Sequence, residues 1–336
     1  MRKVCIVGAG AIGGCLGSRL AAAGAEVSAI ARGATAEALR RHGWRLHSGD
    51  ERLQAPAAAV VDAADAAALG PQDLDVLTVK AQALAEVAPA VAALLGSRTV
   101  LLPAMNGVPW WFGHGLGGPA RDIALRSVDP DGGIAQALPA GRVIGCVVHI
   151  AASTAEPGVA LQRMGRGLMI GEPLAGAGDP PSARLAAVKS LLVGAGFDAS
   201  VPARIHEAVW YKLWGNVTMN PVSALTGATA DRILDDDLVR AHCTAVMQEV
   251  AAVGARIGCA IDQSPADHHA VTRKLGAFKT SMLQDVEAGG AIGLDAIVAA
   301  VREIAERVGV STPQLDTLYG LTRLMARTRG LYPPAR

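Results

Sequence analysis

The sequence predicts an α/β domain followed by an all-helical one. Three observations carry that expectation. The chain opens with an apolar run, Val4 to Val7, a glycine turn and an apolar-periodic stretch containing Ile12, Leu16 and Leu20, which is strand, turn and helix in that order. Short apolar runs then alternate with helical patterns for about two hundred residues, the pattern of a largely parallel sheet. After about Pro202 every long segment has helical periodicity.

Along the first part, strands are expected at Lys3–Val7, Val27–Ala31, Asp75–Val79 and Thr99–Leu102, with helices near Ala11–Ala23 and Gln82–Leu95. The alanine-rich stretch 57–68 suits loops and short helices. A β-rich region follows at Ile123–Val128, Arg142–Ile150, Val159–Arg163 and Leu168–Gly171, either as extra strands of the same sheet or as a small hairpin layer. A helix over Ser182–Gly194 and a short strand over Phe197–Val201 close this domain. Helices are then expected at Ala203–Thr226, Leu234–Ile257, Pro265–Leu283, Leu294–Val308 and Pro313–Arg327. The change of pattern sets domain boundaries of 1–202 and 203–336. Ligands of open α/β sheets lie beyond the carboxyl ends of the strands, so the active site is expected in the cleft between the domains.

The opening turn is G-x-G-x-x-G: Gly8, Gly10 and Gly13. Its context is that of a Rossmann-type dinucleotide site, with Gly8 for the sharp turn, Gly10 for close approach of a pyrophosphate, Gly13 for close helix packing, and the phosphates at the helix N-terminus. The second strand ends in Arg32, about 20 residues past the last of these glycines, where an NAD site would carry a carboxylate. Its only acid, Glu26, lies at the other end. A guanidinium can pair bidentately with a 2′-phosphate, so NADP(H) is expected over NAD(H); the alternative is that Arg32 is a solvated loop charge.

The 336 residues carry a net charge of +1, 51% hydrophobic and 3% aromatic residues. Basic residues are scattered, which argues against a nucleic-acid partner. No apolar run is long enough for a membrane span. Cys5, Cys15, Cys146, Cys243 and Cys259 are odd in number, widely spaced and without a C-x-x-C, which argues against a disulfide framework or zinc site and for a reducing cytoplasm. His268 and His269 are adjacent and so point apart on a helix; no metal is expected.

The residues with chemistry to offer are few. Lys212, Asn216 and Asn220 recur every fourth position in an otherwise apolar helix, so they share one face. Burying such a stripe is costly without partners, and asparagine is a poor helix former; both facts favour a functional stripe over a solvated edge. Lys80 ends the third strand. Asn106, in an Asn-Gly turn, follows the fourth. Ser281 carries no signal alone.

Taken together these motifs resemble the ketopantoate reductases (2-dehydropantoate 2-reductases), over nearly the whole length. Gly8-Ala9-Gly10-Ala11-Ile12-Gly13 matches that family's opening, and Val79-Lys80, Asn106-Gly107, Lys212 through Asn220-Pro221, and Ser281-Met282-Leu283-Gln284-Asp285 match its later motifs in order. The resemblance implies a helical domain of the 6-phosphogluconate dehydrogenase C-terminal kind and the reduction of a small 2-oxo acid by NADPH. It implies that residues 8–13, Arg32, Lys80 and Asn106 hold the cofactor, with Lys80 and Asn106 beside the nicotinamide ribose and the substrate. Lys212 would then be the general acid, and Asn216, Asn220 and Ser281 would hold the substrate.

One position departs from the family. Its Glu-Ile-Asp pattern reads Gly293-Leu294-Asp295 here, so the glutamate that contacts the family's substrate is replaced by glycine. Two other readings therefore stand beside the first: an NADP-dependent dehydrogenase of another 2-oxo or 3-hydroxy acid, and a non-catalytic NADP-binding homologue. Trp110 and Trp111 are candidates either for a reshaped pocket or for plain core. The apolar surface expected of the helical domain leaves a homodimer open.

Overall fold

The computed structural model describes residues 1–176 and 178–333, and the chain forms two compact units. The first comprises residues 1–105 and 131–208; the second comprises 106–130 and 209 onward.

The first unit holds two sheets. β1 (Lys3–Val7), β2 (Glu26–Ile30), β5 (Val60–Val61), β6 (Gln72–Leu77) and β7 (Leu95–Pro103) form a parallel sheet in the order β5-β2-β1-β6-β7. Helices α1 (Ala11–Ala22), α2 (Gly33–His42) and α3 (Leu84–Ala92) lie between these strands in sequence. The second sheet contains the antiparallel hairpin β3 (Trp44–Ser48) and β4 (Glu51–Ala55), with the long pair β8 (Gly145–Glu156) and β9 (Val159–Gly171). β9 pairs in parallel with β3 along its first part and with β10 (Asp198–Ser200) near its end. The short α4 (Gly133–Ala137) precedes this pair, and α5 (Ala183–Gly194) follows it.

α1 packs against both sheets, and its sequence explains how. Leu16 and Leu20 are fully buried in one cluster with Val4 and Ile6 of the first sheet and Trp44 and Leu46 of the second. A Cβ on Gly13 would stand 2.2 Å from the Gly8 carbonyl oxygen, so only glycine lets the helix lie this close. Arg19, also buried, donates to Gln162 at 3.1 and 2.9 Å and pairs with Glu51 at 2.7 Å, which meets the requirement that a buried charge be paired.

The second unit is helical: α6 (Ile205–Thr226, entering from the first unit), α7 (Ala230–Asp235), α8 (Asp237–Arg256), α9 (Pro265–Arg273), α10 (Ser281–Glu287), a π-turn over Asp295–Ala299, α11 (Ala300–Val308) and α12 (Pro313–Thr328). Glu249 of α8 accepts from the Gln314 and Leu315 N–H groups at 2.9 Å each, supplying two unpaired donors of the α12 N-terminus. Among the described residues, no helix is long and apolar enough to cross a membrane.

Three expectations are corrected. Residues 123–128 form no strand: the Arg126 and Ser127 N–H groups donate to the Glu303 carboxylate at 2.8 and 2.9 Å, so they have no ladder to join. The expected strands Val159–Arg163 and Leu168–Gly171 are one strand with bulges in its pairing. The expected helix Pro265–Leu283 is two helices, because Gly276, at φ +62°, turns the chain and Thr280 caps a fresh start.

Asp75 is the unusual core residue. It lies beside Cys5 on the central strands, fully buried, and neither carboxyl oxygen has a hydrogen-bond partner among the described residues. Burial pushes its carboxyl up to about 8, whereas an unfolded chain releases that proton near pH ~4. The proton held by the folded state alone therefore makes stability fall by about 1.4 kcal/mol per pH unit between those two values. Denaturant titrations of wild type and Asp75→Asn at pH 5, 6 and 7 should show the variant gaining on wild type by about that slope; parallel profiles would contradict it.

Candidate functional site

The first unit brings one group of expected residues to the carboxyl ends of neighbouring parallel strands. Gly8 follows β1, Arg32 lies two residues beyond β2, and Lys80 three beyond β6. Gly8 has φ +95°, and its Cβ would lie 2.9 Å from the Val79 backbone nitrogen, so the turn requires glycine. Thr78 locks this turn from the next strand, its hydroxyl donating to the Gly8 carbonyl at 2.7 Å. Gly10 caps α1 with no side chain, and a Cβ there would meet nothing within 4 Å. Ala11 and Ile12 open the helix and Ala9 sits buried in the turn. The result is an open cradle at a helix N-terminus, where backbone N–H groups and the helix dipole favour an anion. Arg32 is 80% exposed and lies 3.6 Å from Glu86. Such a surface pair is worth about 0–1 kcal/mol and leaves the guanidinium able to exchange partners. Lys80 is also exposed.

The second unit brings together the other group. Lys212 donates from Nζ to Asn106 Oδ1 at 2.6 Å. The reason lies on the far side of α6. Trp210 and Trp214 are each two residues, about 200°, from Lys212, and their indole N–H groups donate to the Val250 and Met247 carbonyls of α8 at 3.3 and 2.7 Å. That anchored face fixes the helix rotation and turns Lys212 and Asn216 away from α8. Lys212 and Asn216 are half-buried, and Asn220, one turn further, is buried. Next along that face, Ser223 shares a buried 2.6 Å hydrogen bond with Thr280. Thr280 is the N-cap of α10 and accepts from the Leu283 N–H at 3.1 Å, so Ser281, the residue after it, starts a helix tied to the Lys212–Asn220 face.

Ser223 and Thr280 were missed by the sequence reading. The available signal was the spacing of Ser223 three residues after Asn220, and Thr-x-x-Leu before an apolar turn, which reads as a cap. Trp110 and Trp111 are 4% and 1% exposed, and the neighbouring Phe112 stacks on Trp210 at 5.9 Å; these tryptophans are core. Gly293 lies just before the π-turn. Asp295 accepts from the Tyr332 hydroxyl at 2.5 Å, and burial holds its carboxyl above the ordinary range against the pull of that bond.

A glycine cradle after the first strand of a parallel sheet, followed by a helical unit holding a lysine–amide pair, defines a dinucleotide-binding oxidoreductase. Comparison with known proteins narrows this. The family described as "Ketopantoate reductase PanE/ApbA" matches residues 4–174, and its C-terminal counterpart matches residues 204–326. A 2-dehydropantoate 2-reductase of Mesorhizobium japonicum is 40% identical over 98% of this chain and 99% of its own. A crystal structure from Ralstonia solanacearum, carrying a provisional ketopantoate reductase name, is 53% identical with a TM-score of 0.92, covering 99% of this chain and 100% of its own. The 2-dehydropantoate 2-reductase structure from Methylococcus capsulatus is 27% identical with a TM-score of 0.81, covering 97% of each chain. The chain belongs to the ketopantoate reductase family, whose members are oxidoreductases acting on CH–OH groups.

Replacing Thr280 by valine keeps the shape, removes the α10 cap and deletes the Ser223–Thr280 hydrogen bond, leaving the Ser223 hydroxyl its bond to the Asn220 carbonyl at 2.9 Å. The expected loss is about 1–3 kcal/mol of unfolding free energy, read by denaturant melts of the whole protein; a loss below ~0.5 kcal/mol would contradict the linkage described here.

Proposed function

We propose that the protein reduces a small 2-oxo acid to the 2-hydroxy acid with NADPH, and that the substrate is 2-dehydropantoate. The Lys212–Asn106 contact carries this reading: an ammonium held by an amide oxygen on a mostly apolar helix is a pre-aimed proton donor. The name of the Mesorhizobium relative supports the substrate.

The residues present suit the cofactor. The open space over Gly10 and the α1 N-terminus fit a pyrophosphate, and Arg32 at the end of β2 fits a 2′-phosphate. Lys80 and Asn106 are assigned to the nicotinamide ribose and substrate end. When bound, reduced nicotinamide supplies the hydride. The protein's part is to meet the negative charge that builds on the carbonyl oxygen. Lys212 stabilises that charge in the transition state and hands over its proton, while Asn106 fixes the direction of its Nζ. Asn216, Asn220 and Ser281 supply neutral hydrogen-bonding groups for the carboxylate and hydroxyl of the substrate, and so orient it. The substrate and catalytic work belongs to the helical domain, 203–336 in the sequence reading.

One observation favours a second reading, a different 2-oxo acid. Gly293 stands where the family has its substrate-contacting glutamate, and Asp295, the nearest acid in that pattern, is engaged by Tyr332. No carboxylate of that pattern remains to hold a substrate hydroxyl.

Lys212→Ala should lower kcat by about 100-fold or more with NADPH Kd within about twofold; near-normal turnover of the best substrate would remove Lys212 from the reaction. Arg32→Ala should weaken NADPH binding by about tenfold, the loss of one charge-assisted pair, and leave NADH unchanged. Equal effects on both nucleotides would contradict the 2′-phosphate assignment.

A further inference from the structure

The loop that carries Asn106 is seated on one residue of the π-turn. Gly107 has φ +95°, and a Cβ there would lie 2.7 Å from the Ala296 carbonyl oxygen and 2.8 Å from the Ala296 Cβ. The next residue, Val108, donates its N–H to that same carbonyl at 2.7 Å. Wherever the Ala296 backbone goes, the Asn106–Val108 segment must follow.

Ala296 is the second residue of the π-turn Asp295–Ala299. Single π-turns within helices are rare and frequently occur at functional sites. The start of this one is gripped twice by the segment after α12. The Ile292 N–H donates to the Leu331 carbonyl at 3.1 Å, and the Tyr332 hydroxyl donates to Asp295 Oδ1 at 2.5 Å. Tyr332 is itself held in place: the Arg327 guanidinium stacks over its ring at 5.6 Å, and its hydroxyl lies 3.4 Å from that of Tyr319. Tyr319 is buried, with the Arg302 and Arg323 guanidiniums over its ring at 4.9 and 4.8 Å. A half-buried carboxylate gains nothing from hydrophobic burial and costs desolvation. Asp295 is held by the Tyr332 hydroxyl, with a further hydrogen bond from Tyr319 and the Arg323 and Arg327 charges nearby, and the Tyr332 bond ties the first residue of the turn to the segment after α12.

We propose that Tyr332 and Asp295 are positioning residues for Asn106. Through the Ala296 carbonyl they fix the Gly107–Val108 backbone, and so the amide oxygen that receives the Lys212 ammonium. This inference rests on the assignment of Asn106 to the reaction site.

The test uses Tyr332→Phe, which deletes one hydroxyl and keeps the ring under Arg327, and Asp295→Asn as a second variant. In the free protein, amide hydrogen exchange at Val108 should quicken by about tenfold in both. In NADPH-dependent turnover of 2-dehydropantoate, or of the best 2-oxo acid found, kcat should fall by about fivefold while the NADPH KM stays within about twofold. In an Asn106→Ala background, Tyr332→Phe should change kcat by less than about twofold, because residues acting in series are not additive. Unchanged Val108 exchange in both variants would overturn the proposal, as would the same fold-loss of kcat with and without Asn106. If Asn106→Ala alone left kcat intact, the functional assignment of Asn106 would fail, and the exchange measurement would still decide whether Tyr332 holds the loop.

Discussion

An ammonium 2.6 Å from an amide oxygen is the interaction around which the helical unit is arranged. α6 is mostly apolar, and its far face is fastened to α8 by two indole hydrogen bonds. A helix held that way cannot rotate to bring Lys212 into water without breaking both bonds and withdrawing Trp210 and Trp214 from the core. The cost of keeping a charged and two amide side chains on this helix is met by an order that an ordinary solvated stripe would not need. Asn106 comes to Lys212 from a loop that must be glycine at residue 107, because the π-turn backbone leaves no room for a side chain.

The first unit follows the same logic with different parts. Gly8 and Gly13 are placed where backbone must touch backbone, Gly10 leaves open space at the helix N-terminus, and α1 lies against two sheets at once. The polar groups buried there divide into two kinds. Arg19 is fully partnered and ties α1 to the second sheet. Asp75 has no hydrogen-bond partner among the described residues, and burial raises its carboxyl to about 8, which makes it a mostly neutral polar side chain in the core at pH 7.

Much of this was legible in the residues. The strand–glycine–helix opening and the strands at Lys3, Val27, Asp75 and Thr99 stand out as short apolar runs, and the structure places them within a few residues of expectation. The all-helical second half was equally plain. What failed depended on distant partners. Residues 123–128 carry the apolar residues of a strand, but the Ile123 and Val128 N–H groups close local turns and those of Arg126 and Ser127 go to Glu303, some 176 residues away, and no local pattern signals that. The β3–β4 hairpin was missed although Trp44 and Leu46 alternate with Arg45 and His47 as in a half-buried strand; each strand is only five residues long, so the alternation is brief. In the candidate site, Lys212, Asn216 and Asn220 announced themselves by spacing. Ser281 did so only by resemblance, and the Thr280 cap that places it was overlooked. Tyr332 could not be found at all, since nothing local marks a tail tyrosine as a partner of Asp295.

The central claim is that this arrangement delivers a proton to the oxygen of a 2-oxo acid as NADPH is oxidised. The most direct measurement is NADPH oxidation by the purified protein across a panel of 2-oxo acids that includes 2-dehydropantoate, with 3-oxo acids as the comparison. The account predicts turnover of one or more 2-oxo acids, 2-dehydropantoate foremost, and little with the 3-oxo acids. NADPH that binds but is oxidised by none of the 2-oxo acids would contradict it.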